Sequence, residues 1–159
     1  MESSKMNEIY LDVASNVNNL IPVEWEKVFL YGEVMYDSET VYFYFISKTN
    51  RELVYSLDIP RKYNIERRTY NTCSDLLYDS ILDLHNEYEK HNEKVWTNLT
   101  LILENTGKFN IEFNYEDIYN SEFNDIERQH IWEYEVMGIV PELEEHKEII
   151  ERYLKTKKE

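Results

Sequence analysis

WEKVFLYGEVMY (Trp25–Tyr36), VYFYFIS (Val41–Ser47) and ELVYSL (Glu52–Leu57) follow one another with only a few residues between them. In the first run Val28, Leu30 and Val34 share one face and Phe29, Tyr31 and Met35 the other, the period-two pattern of a β-strand. Asp37-Ser38 and Thr49-Asn50 supply turns, so the three runs read as an antiparallel meander. The first two runs are apolar or aromatic on both faces. A sheet built from them should therefore be covered on at least part of its second side.

Working outward, the segment before the meander places Met6, Ile9, Val13, Val17 and Leu20 at spacings of three and four, one stripe of a helix that Pro22 ends. After it, Asp58-Ile59-Pro60 closes the meander. A long helix is then predicted from about Glu66 to Lys94, its stripe being Tyr70, Cys73, Leu77, Ile81, Leu84 and Tyr88. Cys73 lies on that stripe, which gives it a packing role. A second hairpin follows: Leu99, Leu101 and Leu103 on one face, a turn at Asn105-Thr106-Gly107, and a return strand with Phe109, Ile111, Phe113 and Tyr115 inward. Trp25 and Trp96, each at the edge of a predicted element, are assigned to the core.

Beyond the hairpin, Glu116 to Phe123 reads as a loop. Asn124 and Glu127 have the spacing of a capping pair, so a helix should begin near Asp125 and stop near Gly138. Pro141 would start a last helix with Glu142, Glu144 and Glu145 in its first turn and Lys155, Lys157 and Lys158 at its far end, both complementing the helix dipole. The expectation is an α+β fold forming a single domain over residues 1–159. An antiparallel sheet of about five strands, a meander plus a hairpin, would pack with an N-terminal helix, a long middle helix and two C-terminal helices.

Charge is distributed unevenly. From Glu112 to Glu145 there are 11 acids against Arg128 alone, while the whole chain of 159 residues carries a net charge of −15. Phe113, Tyr115, Tyr119, Phe123, Trp132 and Tyr134 are interleaved with these acids. Aromatic anchors inside a field of one sign suit a surface that steers and holds a basic protein. A solvated acidic surface over an ordinary core explains the same residues, and the sequence leaves both readings open. The aromatic content of 14% sets the chain apart from a disordered acidic tail.

Several functions are disfavoured. So negative a chain is poorly matched to nucleic-acid phosphates, whose binding is driven by Lys and Arg. The three glycines, Gly32, Gly107 and Gly138, are isolated, so no phosphate-cradling loop or dinucleotide fingerprint can be built. One cysteine cannot form an internal disulfide or a Cys-rich zinc site, which fits a reducing compartment. MESSKMNEIY lacks the pattern of a signal peptide, and the run Val41–Ile46 is too short to span a bilayer. A soluble, cytoplasmic protein is expected. Glu127 and His130 form one Glu-x-x-His pair, a spacing that two-metal sites use twice on facing helices, but no second copy is present. Helix capping or a surface pair accounts for it, and the expectation is no metal, no cofactor and no catalysis.

A set of collinear pieces identifies a relationship. Ile21-Pro22, Trp25-Glu26-Lys27-Val28, Leu30-Tyr31 and Glu33-Val34 precede the aromatic strand Val41–Phe45. Asp58-Ile59-Pro60, Trp96-Thr97-Asn98-Leu99, Thr106-Gly107-Lys108-Phe109 and Phe113-Asn114-Tyr115-Glu116-Asp117 come next. Glu127-Arg128, Ile131-Trp132-Glu133-Tyr134, Gly138-Ile139 and Pro141 complete the series. In this order they resemble the YezG/EsaG family of antitoxins over nearly the whole chain, the middle and last helices agreeing in character alone. The resemblance implies a cytoplasmic immunity protein of Gram-positive bacteria. Such a protein neutralises a toxin exported by the type VII secretion system, often a nuclease, and has no enzymatic activity of its own. Charge and aromatic content, rather than the family, nominate Tyr115, Glu116, Asp117, Glu122, Asp125, Glu127, Trp132 and Glu133 as the partner-binding residues. The partner would be a basic nuclease toxin, with no direct nucleic-acid binding, no membrane and an oligomeric state the sequence leaves open. The alternative is an acidic regulator that mimics DNA and binds a host DNA-binding protein.

Overall fold

The computed structural model describes residues 4–158. The helical stripe at the N-terminus forms α1 (Ser4–Leu20), and all five of its predicted stripe residues are buried. The meander forms β1 (Trp25–Val34), β2 (Glu39–Ser47) and β3 (Leu53–Tyr55). A single 3-10 turn (Ser56–Asp58) and the short α2 (Ile59–Lys62) lead to α3 (Arg67–His91). The second hairpin is β4 (Asn98–Glu104) and β5 (Phe109–Asn114). Two helices complete the described chain, α4 (Asp125–Met137) and α5 (Glu144–Lys157).

All pairings are antiparallel and the sheet order is β3-β2-β1-β4-β5. The fold is the expected α+β arrangement. Its non-local step is the pairing of β1 with β4, in which Leu30 faces Leu101 and Gly32 faces Leu99. Two compact units divide the chain, one ending at Glu116 and the other beginning at Asp117.

In the first unit, the register sets Val28, Leu30, Phe43, Phe45, Leu99, Leu101 and Leu103 on one face of the sheet. These side chains join the α1 stripe and Tyr70, Leu77, Ile81 and Leu84 of α3 in one buried cluster. Each large apolar side chain removed from water contributes roughly 1.5–3 kcal/mol, so this cluster dominates the unit's stability. At Gly32 α3 packs close against the sheet: a Cβ there would lie 3.3 Å from Ile81 Cγ2 and 3.5 Å from Leu99 Cγ. Side-chain hydroxyls fix the layers, with Tyr78 donating to the carbonyl of Val41 (3.1 Å) and Tyr70 to that of Ser56 (2.7 Å).

The opposite face carries Phe29, Tyr31, Tyr42 and Tyr44, which are also buried. Tyr31 stacks on Tyr42 (5.1 Å between ring centroids) and Tyr44 on Tyr55 (4.8 Å). Among them Glu33 is buried and accepts a hydrogen bond from the Tyr31 hydroxyl (2.7 Å). The two-sided apolarity of the strands in sequence is thus matched by two buried faces.

Several boundaries differ from expectation: α3 ends at His91, short of Lys94, and β5 ends at Asn114, which leaves Tyr115 outside the strand and exposed rather than inward. Two further differences have a visible cause. β3 has three residues where six were predicted, because the chain turns into the 3-10 segment at Ser56, whose hydroxyl oxygen accepts from the N–H of Phe43 (3.2 Å). The last helix begins at Glu144 and not at Pro141. Leu143 is extended (φ −76, ψ 136), and its carbonyl receives the first helical bonds from His146 and Lys147, so Glu142 lies outside the first turn.

Candidate functional site

The acidic stretch starts at the end of the first unit. There the side chain of Asn98, buried within the sheet, donates to Glu116 Oε1 (3.4 Å), and the Thr97 hydroxyl donates to the Glu116 carbonyl (2.9 Å). Glu116 is therefore held through its carbonyl and one carboxylate oxygen, while the residue stays exposed. Next to it Tyr115 is 37% exposed, with the Lys94 ammonium 5.4 Å from its ring centroid. Its hydroxyl shares a short hydrogen bond with that of Tyr88, and this bond, with burial, pushes the Tyr88 hydroxyl up to about 12.

The second unit opens with a loop organised by Asp117. Its carboxylate accepts from the backbone N–H of Asn120 (3.3 Å) and from Asn120 Nδ2 (2.6 Å), the local pattern by which Asp side chains build turns. Ile118 and Phe123 point inward and are buried, whereas Asp117 and Glu122 are exposed. At Asn124 the predicted capping box forms: Asn124 Oδ1 accepts from the Glu127 N–H (2.8 Å) and the Glu127 carboxylate accepts from the Asn124 N–H (3.0 Å). Asp125 is exposed in the first turn, where its negative charge complements the positive end of the helix dipole. Gly138 ends the helix in the left-handed region (φ 70).

The nominated residues therefore separate into two kinds. Tyr115, Glu116, Asp117, Glu122 and Asp125 present their side chains to solvent. Glu127 is engaged internally, its second oxygen held by Arg152 at 2.9 Å, and the Arg152 guanidinium lies 4.7 Å from the Phe123 ring centroid. Trp132 is 7% exposed. Glu133 has 14% of its side chain exposed and lies 3.6 Å from His130 Nδ1. Residues outside the nominated set stand open beside the acids: Tyr119 is 59% exposed and Ile126 64%. Ile126 was not nominated, although an apolar side chain between Asp125 and Glu127 in the first turn of the predicted helix was a usable signal.

The backbone N–H of Asn124 and the Arg152 guanidinium hold the Glu127 carboxyl below the usual carboxylate range. A second ion pair, Lys157 to Glu135 at 2.8 Å, lowers Glu135 in the same way, with help from Tyr153. A carboxyl that is more acidic folded than unfolded stabilises the native state fully above its unfolded value of about 4.3, and that contribution is lost as pH falls through the folded value. Unfolding free energy should thus decline as pH is lowered from about 5 to about 3. Glu127→Gln should flatten the decline, measured by denaturant unfolding at each pH. A slope unchanged by the substitution would remove Glu127 from the account.

The His130 and His146 rings lie against each other at a tilt (4.3 Å between centroids, 34° between planes). Among the described residues no group of three or more His, Cys, Asp or Glu is placed to hold a metal ion, and no helix is long and apolar enough to cross a membrane.

Comparison with known proteins places this arrangement. The profile of the YezG-like immunity proteins matches residues 6–151. The chain is 41% identical over 156 residues to the immunity protein YezG of Bacillus spizizenii, an alignment covering 98% of this chain and 97% of that one. It is 41% identical over 149 residues to the immunity protein YezG of Bacillus subtilis, covering 94% and 99%. The type VII secretion system protein EsaG of Staphylococcus aureus is 32% identical over 140 residues, with 88% and 86% covered. On the profile match and these near full-length identities, the chain belongs to the YezG-like family of immunity proteins.

Proposed function

We propose that this protein acts in the cytoplasm as the immunity partner of a secreted nuclease toxin, binding it through acidic, aromatic-flanked surface and catalysing nothing itself. One observation carries the reading. Glu116, Asp117, Glu122 and Asp125 are exposed, and among the described residues none of them is paired with a Lys or Arg. Elsewhere the protein does pair its acids, as at Glu26 with Arg51 and Glu52 with Lys62. Carboxylates left uncompensated keep their full field, and a nuclease that grips nucleic acid needs a basic groove for that field to act on. Tyr115 and Glu116 belong to the first unit and Asp117, Glu122 and Asp125 to the second, so each set is a candidate in its own right.

Pull-down with tagged protein from its native host, followed by denaturation of the complex and refolding of the partner, tests this. Recovery of a basic nuclease whose activity is suppressed when the protein is added back supports the proposal. Recovery of host DNA-binding proteins alone, or a refolded partner that the protein fails to inhibit, defeats it in favour of a DNA-mimicking regulator.

A further inference from the structure

The two edges of the sheet are treated differently. At one, β3 is three residues long and runs straight into a 3-10 turn, which blunts it. At the other, β5 runs for six residues, FNIEFN, with no proline and no bulge in its pairing with β4. The Glu104 N–H donates to the Lys108 carbonyl (2.8 Å), and this bond fixes the parity of the hairpin. Lys108, Asn110, Glu112 and Asn114 turn their backbone groups toward β4. The N–H and C=O groups of Phe109, Ile111 and Phe113 then point away from the sheet, and among the described residues no hydrogen bond reaches them. Phe109 is also 45% exposed, although Tyr10 of α1 stands 5.6 Å from its ring.

This edge is symmetric in its own sequence. About Ile111, Phe109 mirrors Phe113 and Asn110 mirrors Glu112. Placing a two-fold axis at Ile111 pairs Phe109 with Phe113 of a second copy, Ile111 with Ile111, and Asn110 with Glu112. Aromatic pairs and an amide–carboxylate pair across strands are favourable, and no like charges are opposed. Lys108 and Glu112 leave the strand itself near neutral in a chain of net charge −15. We propose that the occupant of the β5 edge is a second copy of this chain, joined antiparallel with Ile111 on the dyad, to give a continuous ten-stranded sheet. The like charge of the two copies opposes their approach, so association strengthens with salt.

Hydrogen exchange of the full-length protein, read amide by amide over a range of concentrations, tests the proposal directly. Exchange at Phe109, Ile111 and Phe113 should slow as concentration rises, in parallel with dimer formation in sedimentation, while Asn110 and Glu112 stay protected throughout by β4. Ile111→Pro removes an outward donor without touching the ladder to β4, and should weaken dimerisation by about tenfold or more. Exchange that is fast at those three amides at every concentration overturns the proposal. So does protection that appears with a monomeric chain only when a toxin is added, since that assigns the edge to a foreign strand. The exchange readout stands even if the proline variant fails to fold.

Discussion

Replacing Trp96 with alanine should destabilise the first unit by about 3–5 kcal/mol, the range for deleting a fully buried large aromatic side chain. Trp96 is 0% exposed and links the start of β4 to α3 and β5. Its ring meets His85 edge-on (4.8 Å between centroids) and stacks with Phe113 (5.7 Å), while its own carbonyl pairs with His85 Nε2 (3.1 Å). Burial lowers the affinity of His85 for a proton, so the imidazole's packing role is that of a neutral ring. One feature makes the site diagnostic: the indole N–H is buried with no hydrogen-bond acceptor among the described residues. An orphaned buried donor carries a desolvation penalty of about 1–3 kcal/mol, which phenylalanine abolishes while keeping most of the aromatic area. Trp96→Phe should accordingly cost well under half of what Trp96→Ala costs in denaturant unfolding. Equal losses would show that the indole ring's full width, and not apolar burial, is what the site requires.

The meander, both hairpin strands and the long helix were legible in sequence because their signals are local periods. Val28, Leu30 and Val34 alternate, Leu77, Ile81 and Leu84 recur at helical spacing, and Asn124 with Glu127 and Gly138 marks both ends of α4. What a period cannot encode is the partner. Nothing near Leu30 announces that it will lie beside Leu101, and nothing near Glu127 announces an arginine 25 residues on. The acidic stretch shows the consequence. Eight residues were nominated by composition, and charge alone could not separate Asp117 and Asp125, which remain open, from Glu127, which Arg152 occupies. Trp132 misled for a related reason: an aromatic within an acidic run reads as an anchor, whereas its helix turns it inward to 7% exposure. The early end of β3 and the late start of α5 turn on single backbone positions, Ser56 and Leu143, where the side chain gives little warning of the bend.

Reversing Glu116, Asp117, Glu122 and Asp125 together to lysine should weaken toxin binding by well over tenfold, to about a hundredfold, with most of the loss in the association rate at low salt. These four carboxylates are exposed and form no ion pair with Lys or Arg, so their field is left to act on encounter with a basic surface. Asp117 also holds the turn at Asn120 and Glu116 accepts from Asn98, so the variant is read with its folding checked by circular dichroism. Each reversal shifts the net charge of −15 by two units, and that global change would slow association with any basic partner. A matched control separates the local effect from the global one. Asp75, Asp79, Asp83 and Glu89 are also exposed, lie on α3, and reversed to lysine alter the net charge equally. If the acidic stretch is the docking surface, the first set should reduce affinity far more than the second, and added salt should narrow the gap between wild type and the first variant. Equal losses from the two sets would assign the effect to net charge and withdraw the placement. Unchanged affinity in the first would leave these carboxylates as solvated surface and move the search to the exposed side chains of Tyr119 and Ile126.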